Sequence, residues 1–325
     1  MNFARYYHTA SILSTGQVIV AGGNGSSGFL SSAELYDSST GVWTMTRNMC
    51  SARFAHTASI LSTGKVLVAG GFSLNSLLQS AELYDPSTGY WTMTGNMSIA
   101  RYYHTASILS SGEVLIAGGI GLTGNLQSAE LYDPSTGYWT MTGNMSSGRY
   151  FHTASVLTNG KVLVAGGLSL TGYLQSAALH DPSTGHWTMT GNMSFGRFVH
   201  TASILSTGNV LVAGGIGLTG YLQSAELYDP STGHWTMTGN MSIARYYQTA
   251  SILTTGKVLV AGGLGLTSYL QSAELYDSST EYWTITGNMS SGRNLHTASI
   301  LTNGKVLVAG GSNSLGYLNS AELYG

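Results

Sequence analysis

The chain has 325 residues, of which 43% are hydrophobic and only 8% charged, with a formal net charge of −2. So small a charge supplies no field to draw nucleic acid or an anionic membrane, and a single cysteine, Cys50, excludes an internal disulfide framework. No apolar run is long enough to span a bilayer, and abundant Gly, Ser, Thr, Asn and Tyr in place of charges mark a turn-rich β protein.

Residues 1–5 lead straight into the first of a series of repeats and leave no room for a signal peptide. A leader, if the protein is secreted, would lie outside this chain. His8, His56, His104, His152, His200 and His296 recur every 48 residues, with Gln248 in the remaining slot, and Thr-Ala-Ser follows each. One unit is therefore copied seven times, and a residue present in every copy is expected to build the unit.

The second copy shows the unit in order. Residues 53–61 carry strand A, and the turn Ser62-Thr63-Gly64-Lys65 leads to strand B, Val66-Leu67-Val68-Ala69, which ends at Gly70-Gly71. After a loop, Ser80-Ala81-Glu82-Leu83-Tyr84-Asp85 forms strand C; Pro86-Ser87-Thr88-Gly89 then turns into strand D at Tyr90-Trp91-Thr92-Met93-Thr94. These segments are too short for helices and are bounded by turn residues. Short links predict an antiparallel meander, and four-stranded sheets set face to face around an axis bury both faces of each.

The Gly-Gly after strand B (Gly22-Gly23 through Gly310-Gly311), the Tyr of strand C and the Trp of strand D (Trp43, Trp91, Trp139, Trp187, Trp235, Trp283) resemble the kelch repeat over essentially the whole chain. His180 replaces the Tyr in copy four, and the seventh copy stops at Gly325 before strand D. The expected fold is all-β: one domain over residues 1–325, a seven-bladed kelch β-propeller of period 48 whose last blade has three strands. Kelch propellers commonly close by sharing a blade between the chain ends. No spare strand exists here, so closure should rest on packing between blades seven and one, and strand C of blade seven should leave an open edge for self-association.

Arg5, Arg53, Arg101, Arg149, Arg197, Arg245 and Arg293 occupy one position at the D–A link. The kelch resemblance implies a binding surface on this face, and in some kelch adaptors arginines at the start of strand A grip acidic peptides. Structural pairing with Glu34, Glu82, Glu130, Glu226, Glu274 and Glu322, each 29 residues further on, suits the same arginines better and explains both sets without a ligand. In copy four Ala178 replaces the Glu, so Arg149, or Arg197 if pairing crosses between blades, is a candidate free guanidinium for a carboxylate or phosphate. Tyr173, Tyr221, Tyr269 and Tyr317 share one position in the B–C link and join the candidate ligand-binding set; packing between blades is the alternative for such aromatics.

The histidines suit a backbone-bonded structural role better than a metal, which needs three or four donors around one ion. Arg101-Tyr102-Tyr103-His104 is also similar to the Arg-x-Tyr-His segment of galactose oxidase and glyoxal oxidase relatives. That resemblance implies copper ligation by Tyr7-His8 or Tyr103-His104. Those enzymes add a His from a separate domain and a Tyr–Cys cross-link, for which Cys50 is the one candidate here. No nucleophile elbow, phosphate loop or Cys-x-x-Cys is present. Asn24, Asn96, Asn144, Asn192, Asn240 and Asn288 fit the N-glycosylation pattern. The reading that results is a non-catalytic binding or scaffold module with no cofactor and no metal. Its expected partner is a protein or acidic peptide, with a glycan second.

Overall fold

The computed structural model describes every residue except Asn75. The fold is an all-β seven-bladed propeller, with six four-stranded antiparallel sheets and a three-stranded last blade. Blades one, two, three and seven lie in one compact unit (residues 1–142 and 296–325), and blades four to six in a second (residues 143–295).

Blade two illustrates the unit. Strands A (Thr57–Ile60), B (Val66–Ala69), C (Ala81–Asp85) and D (Tyr90–Met93) pair in chain order. Leu67 of strand B sits opposite Ser59 on one side and Leu83 on the other. Every residue of strand B is buried, so it reads as an unbroken apolar run. The reason is that both of its faces meet a neighbouring blade. Val66 and Val68 join Leu13, Ile19 and Met49 of blade one, whereas Leu67 and Ala69 join Val114, Ile116 and Tyr132 of blade three. In the second unit Leu163 and Ala165 meet Val210, Val212 and Tyr228 in the same way.

The residues that carry the repeat signature are the bolts between blades. Trp91 and Trp139 donate their indole N–H to the carbonyls of Arg47 and Gly95 in the preceding blade, at 2.9 and 2.8 Å. The Tyr132 hydroxyl meets Thr94 Oγ1 at 2.9 Å and Tyr228 meets Thr190 at 2.9 Å. Gly70 has φ +64°, and a Cβ there would lie 2.5 Å from the Arg101 carbonyl and 2.7 Å from the His104 ring. Only glycine allows that approach of one blade to the next.

Blades seven and one use the same contacts without sharing a strand. Arg5 N–H donates to the Leu318 carbonyl at 3.1 Å, Gly311 N–H to the Arg5 carbonyl at 2.8 Å, and His8 Nε2 meets Thr297 Oγ1 at 3.0 Å. Val18 and Tyr36 pack on Leu301 and Leu307. Strand C of blade seven (Ala321–Tyr324) has strand B as its one strand partner among the described residues. The B–C links, expected as plain loops, form short hairpins such as Ile120–Gly121 with Gly124–Asn125.

Candidate functional site

In each unit the hairpins of the B–C links and the D–A links share one face, tied by bridges such as Phe54 to Phe72 and Phe198 to Ile216. The A–B and C–D turns share the other, where Lys65–Asp85, Lys161–Asp181 and Lys257–Asp277 pair at 3.1–3.2 Å. No B–C link contains a charged residue: residues 22–32, 70–80 and 118–128 and their four counterparts hold only Gly, Ser, Thr, Asn, Gln, Leu, Ile, Phe and Tyr.

Six of the hairpin tips carry a leucine, and that of blade one carries Ser26-Ser27. Leu74, Leu122, Leu170, Leu218, Leu266 and Leu315 are between 72% and 94% exposed. The cause is local. Gly121 pairs with Gly124, so the two-residue tip Leu122-Thr123 has nothing to fold back on. These leucines did not stand out in the sequence, where a leucine beside a strand looks like core; the flanking glycines were the available signal.

Below the tips lie aromatic stacks. Tyr317 stacks on Tyr6 with centroids 4.7 Å apart, Phe29 on Phe54 at 5.0 Å, Tyr173 on Phe198 at 5.6 Å and Tyr221 on Tyr246 at 4.7 Å. Each joins a hairpin to the next blade. Tyr173, Tyr221 and Tyr317 nonetheless stay 39%, 37% and 43% exposed, whereas Tyr269 is half-buried. In Tyr173, Tyr221 and Tyr317 one ring face braces a neighbour and the rest meets solvent.

The residue before each His or Gln has a positive φ of 50–54°: Tyr7, Ala55, Tyr103, Phe151, Val199, Tyr247 and Leu295. A backbone chain links them within each unit, from Ala55 N–H to the Tyr7 carbonyl and from Tyr103 N–H to the Ala55 carbonyl, both 3.1 Å. Small Ala55 lets the Tyr7 and Tyr103 rings meet at 5.3 Å, and Val199 lets Phe151 and Tyr247 meet at 5.7 Å.

The arginines correct the sequence expectation. Arg5, Arg53, Arg101, Arg149, Arg197, Arg245 and Arg293 are all 0% exposed, so none is a surface group able to grip a peptide. In five blades the guanidinium pairs with the Glu of its own blade, as in Arg5–Glu34 and Arg53–Glu82 at 2.8 and 2.7 Å. Arg53 Nη1 also donates to the carbonyls of Gly70 and Ser80, at 2.7 and 3.1 Å. The Glu completes the knot: Glu82 Oε2 accepts from Cys50 N–H at 2.6 Å and Oε1 from Ser51 N–H at 3.1 Å. A buried charge persists only when satisfied, and here it ties the D–A link to strands B and C.

The histidines also work inside the fold. His56 and His104 place Nε2 3.0 Å from the hydroxyls of Thr9 and Thr57 in the preceding blade, so the recurring partner is a threonine rather than the backbone alone. Burial, and then the adjacent arginine charge, hold His8 and His56 well below the usual imidazole range and push His104 and His200 down to about 3. All four rings are neutral at physiological pH.

The kelch motif matches residues 5–49, 53–98 and 197–242, which cover three of the seven blades. The chain is a kelch-repeat β-propeller. Comparison with curated protein sequences found no match. Among solved structures this kelch propeller is similar to a fungal alcohol oxidase of the AA5 family in complex with copper, at 21% identity and a TM-score of 0.77, over 95% of this chain and 70% of the oxidase. It is similar also to the protein YjhT, at 17% identity and a TM-score of 0.69, over 87% of this chain and 98% of that one. At such identities the likeness shows the fold alone.

The oxidase makes copper worth testing against the side chains. In Tyr7-His8 the two rings diverge: Tyr7 lies against Tyr103 and Phe54, while His8 is held by Thr297. Tyr103 likewise faces Tyr7 while His104 faces Thr57. Cys50 is exposed, with its backbone N–H on Glu82. Among the described residues no three of His, Cys, Asp and Glu converge. These residues do not fit a copper centre.

Proposed function

We propose that this kelch propeller is a non-catalytic docking module, and that it binds a protein partner of low charge on the face bearing the hairpin tips and D–A links. The observation that carries the reading is the set of leucines, 72–94% exposed, at the hairpin tips of six links without a single charge. A lone exposed leucine is ordinary, but a repeated apolar array marks an interaction surface. The half-exposed Tyr173, Tyr221 and Tyr317 beside the tips add the rigid aromatic area that interfaces favour. Because the seven repeated arginines are sealed inside the blades, an acidic peptide has no ring of cations to engage there; the exposed Arg47 of one D–A link lies over the Tyr90 ring. Protruding leucines suit a protein surface more than a sugar, which would want bare ring faces.

The test is selection from a peptide-display library on the immobilised protein, with counter-selection on a Leu122→Ser, Leu170→Ser, Leu218→Ser variant. The expected ligands are apolar and nearly uncharged, and bind the variant at least tenfold more weakly. Ligands rich in Asp and Glu, equal binding to both proteins, or binding confined to a glycan array would each overturn the reading.

A further inference from the structure

Blade four departs from its sisters at one position. Where the Arg–Glu blades place a glutamate beside the buried arginine, blade four has Ala178, itself 1% exposed. Arg149 stays in the common position. Its Nη1 donates to the carbonyls of Gly166 and Ser176, at 2.9 and 3.0 Å, and Nη2 donates to Ser176 Oγ at 3.2 Å. The Nη2 proton that meets the glutamate in Arg53 and Arg197 has no acceptor among the described residues. Burial alone acts on this guanidinium, pulling its pKa down to about 10, with no carboxylate to offset it.

Two further donors are left over at the same spot. In blade five Glu226 accepts the Ser194 N–H at 2.7 Å and the Phe195 N–H at 3.3 Å. Their counterparts are the N–H groups of Ser146 and Ser147, and neither meets an acceptor among the described residues. Three donors that elsewhere hold the two oxygens of one carboxylate therefore surround a position with no oxygen. Ala differs from Glu by one methylene and one carboxylate, which is the substance of an acetate ion. Ser146 is exposed, so the ledge over this position faces solvent.

We propose that blade four contains an internal receptor for a small monocarboxylate of formate or acetate size, held by Arg149 Nη2 and the backbone N–H groups of Ser146 and Ser147 in the place of the missing glutamate side chain. The donor fan defines the class. Its two oxygen positions are spaced for a planar carboxylate, whereas a halide fills one and leaves the other dry. Phosphate carries two oxygens more than the fan holds. A buried guanidinium without a counter-charge is costly, so an anion that enters is strongly retained. The inference does not rest on the proposed docking function.

Equilibrium dialysis with labelled acetate at about pH 8, in chloride of constant ionic strength, tests it. One acetate per chain is expected for the unaltered protein and none for Ala178→Glu, which installs the covalent carboxylate. Thermal unfolding is the second readout: acetate and formate should raise the midpoint of the unaltered protein saturably. Ala178→Glu should start higher and ignore both salts. No bound acetate, displacement of acetate by equimolar chloride, or an equal response of the two proteins would overturn the proposal. So would a lower starting midpoint in Ala178→Glu, which would show the space to be filled.

Discussion

Replacing His104 by glutamine should make the protein less sensitive to acid, and the chain already contains the template. At the sixth copy of this position Gln248 donates Nε2 to the Ala213 carbonyl at 2.9 Å. The corresponding carbonyl for His104 is that of Ala69, which also hydrogen-bonds the ring. The folded pKa of His104 is about 3 because burial, and then the Arg101 charge, disfavour the imidazolium. In the unfolded chain it returns to about 6.5. Between those values the unfolded state holds the extra proton, so stability falls as pH falls from about 6.5 toward about 3. At pH 5 the gap is about 1.5 units at about 1.4 kcal/mol each, or about 2 kcal/mol for this one ring. Urea midpoints at pH 7 and pH 5 measure it. His104→Gln should resemble the parent at pH 7 and exceed it by about 2 kcal/mol at pH 5. Parallel profiles for the two proteins would refute the claim that the ring is folded in its neutral form.

Glu82→Ala should cost about 3–5 kcal/mol at neutral pH, because it strands the fully buried Arg53 and removes the acceptor for the Cys50 and Ser51 N–H groups. A shift in the urea midpoint worth less than about 1 kcal/mol would mean the pair is not coupled to folding. Glu281 sits at φ +59°, in the turn position that glycine fills as Gly89 or Gly233. Glu281→Gly should therefore stabilise by a few tenths of a kcal/mol to about 1 kcal/mol by relieving left-handed strain, less the loss of the 3.3 Å bond from Thr238 Oγ1. A destabilised variant would show that bond to outweigh the strain.

The architecture was legible in the sequence because its contacts must recur wherever one blade meets another. Gly70, Tyr132, Trp139 and His104 each touch a neighbouring blade, so each reappears every 48 residues, and the period announces the propeller. The 29-residue spacing of Arg53 and Glu82 held the ion pair too, but not the direction in which the guanidinium points. That direction follows from sheet geometry, which sets Arg53 under the Gly70 and Ser80 carbonyls rather than on the surface. Composition is no guide at the hairpins. Leu122 counts toward a core by residue type, yet a two-residue tip between Gly121 and Gly124 leaves it in solvent. Hydropathy and charge describe a side chain, whereas burial belongs to the backbone that carries it. Once recurring residues are assigned to holding blades together, two features remain that the architecture does not need. One is the set of uncharged hairpins with their exposed leucines and tyrosines. The other is the single blade in which an arginine keeps its place after its partner has gone.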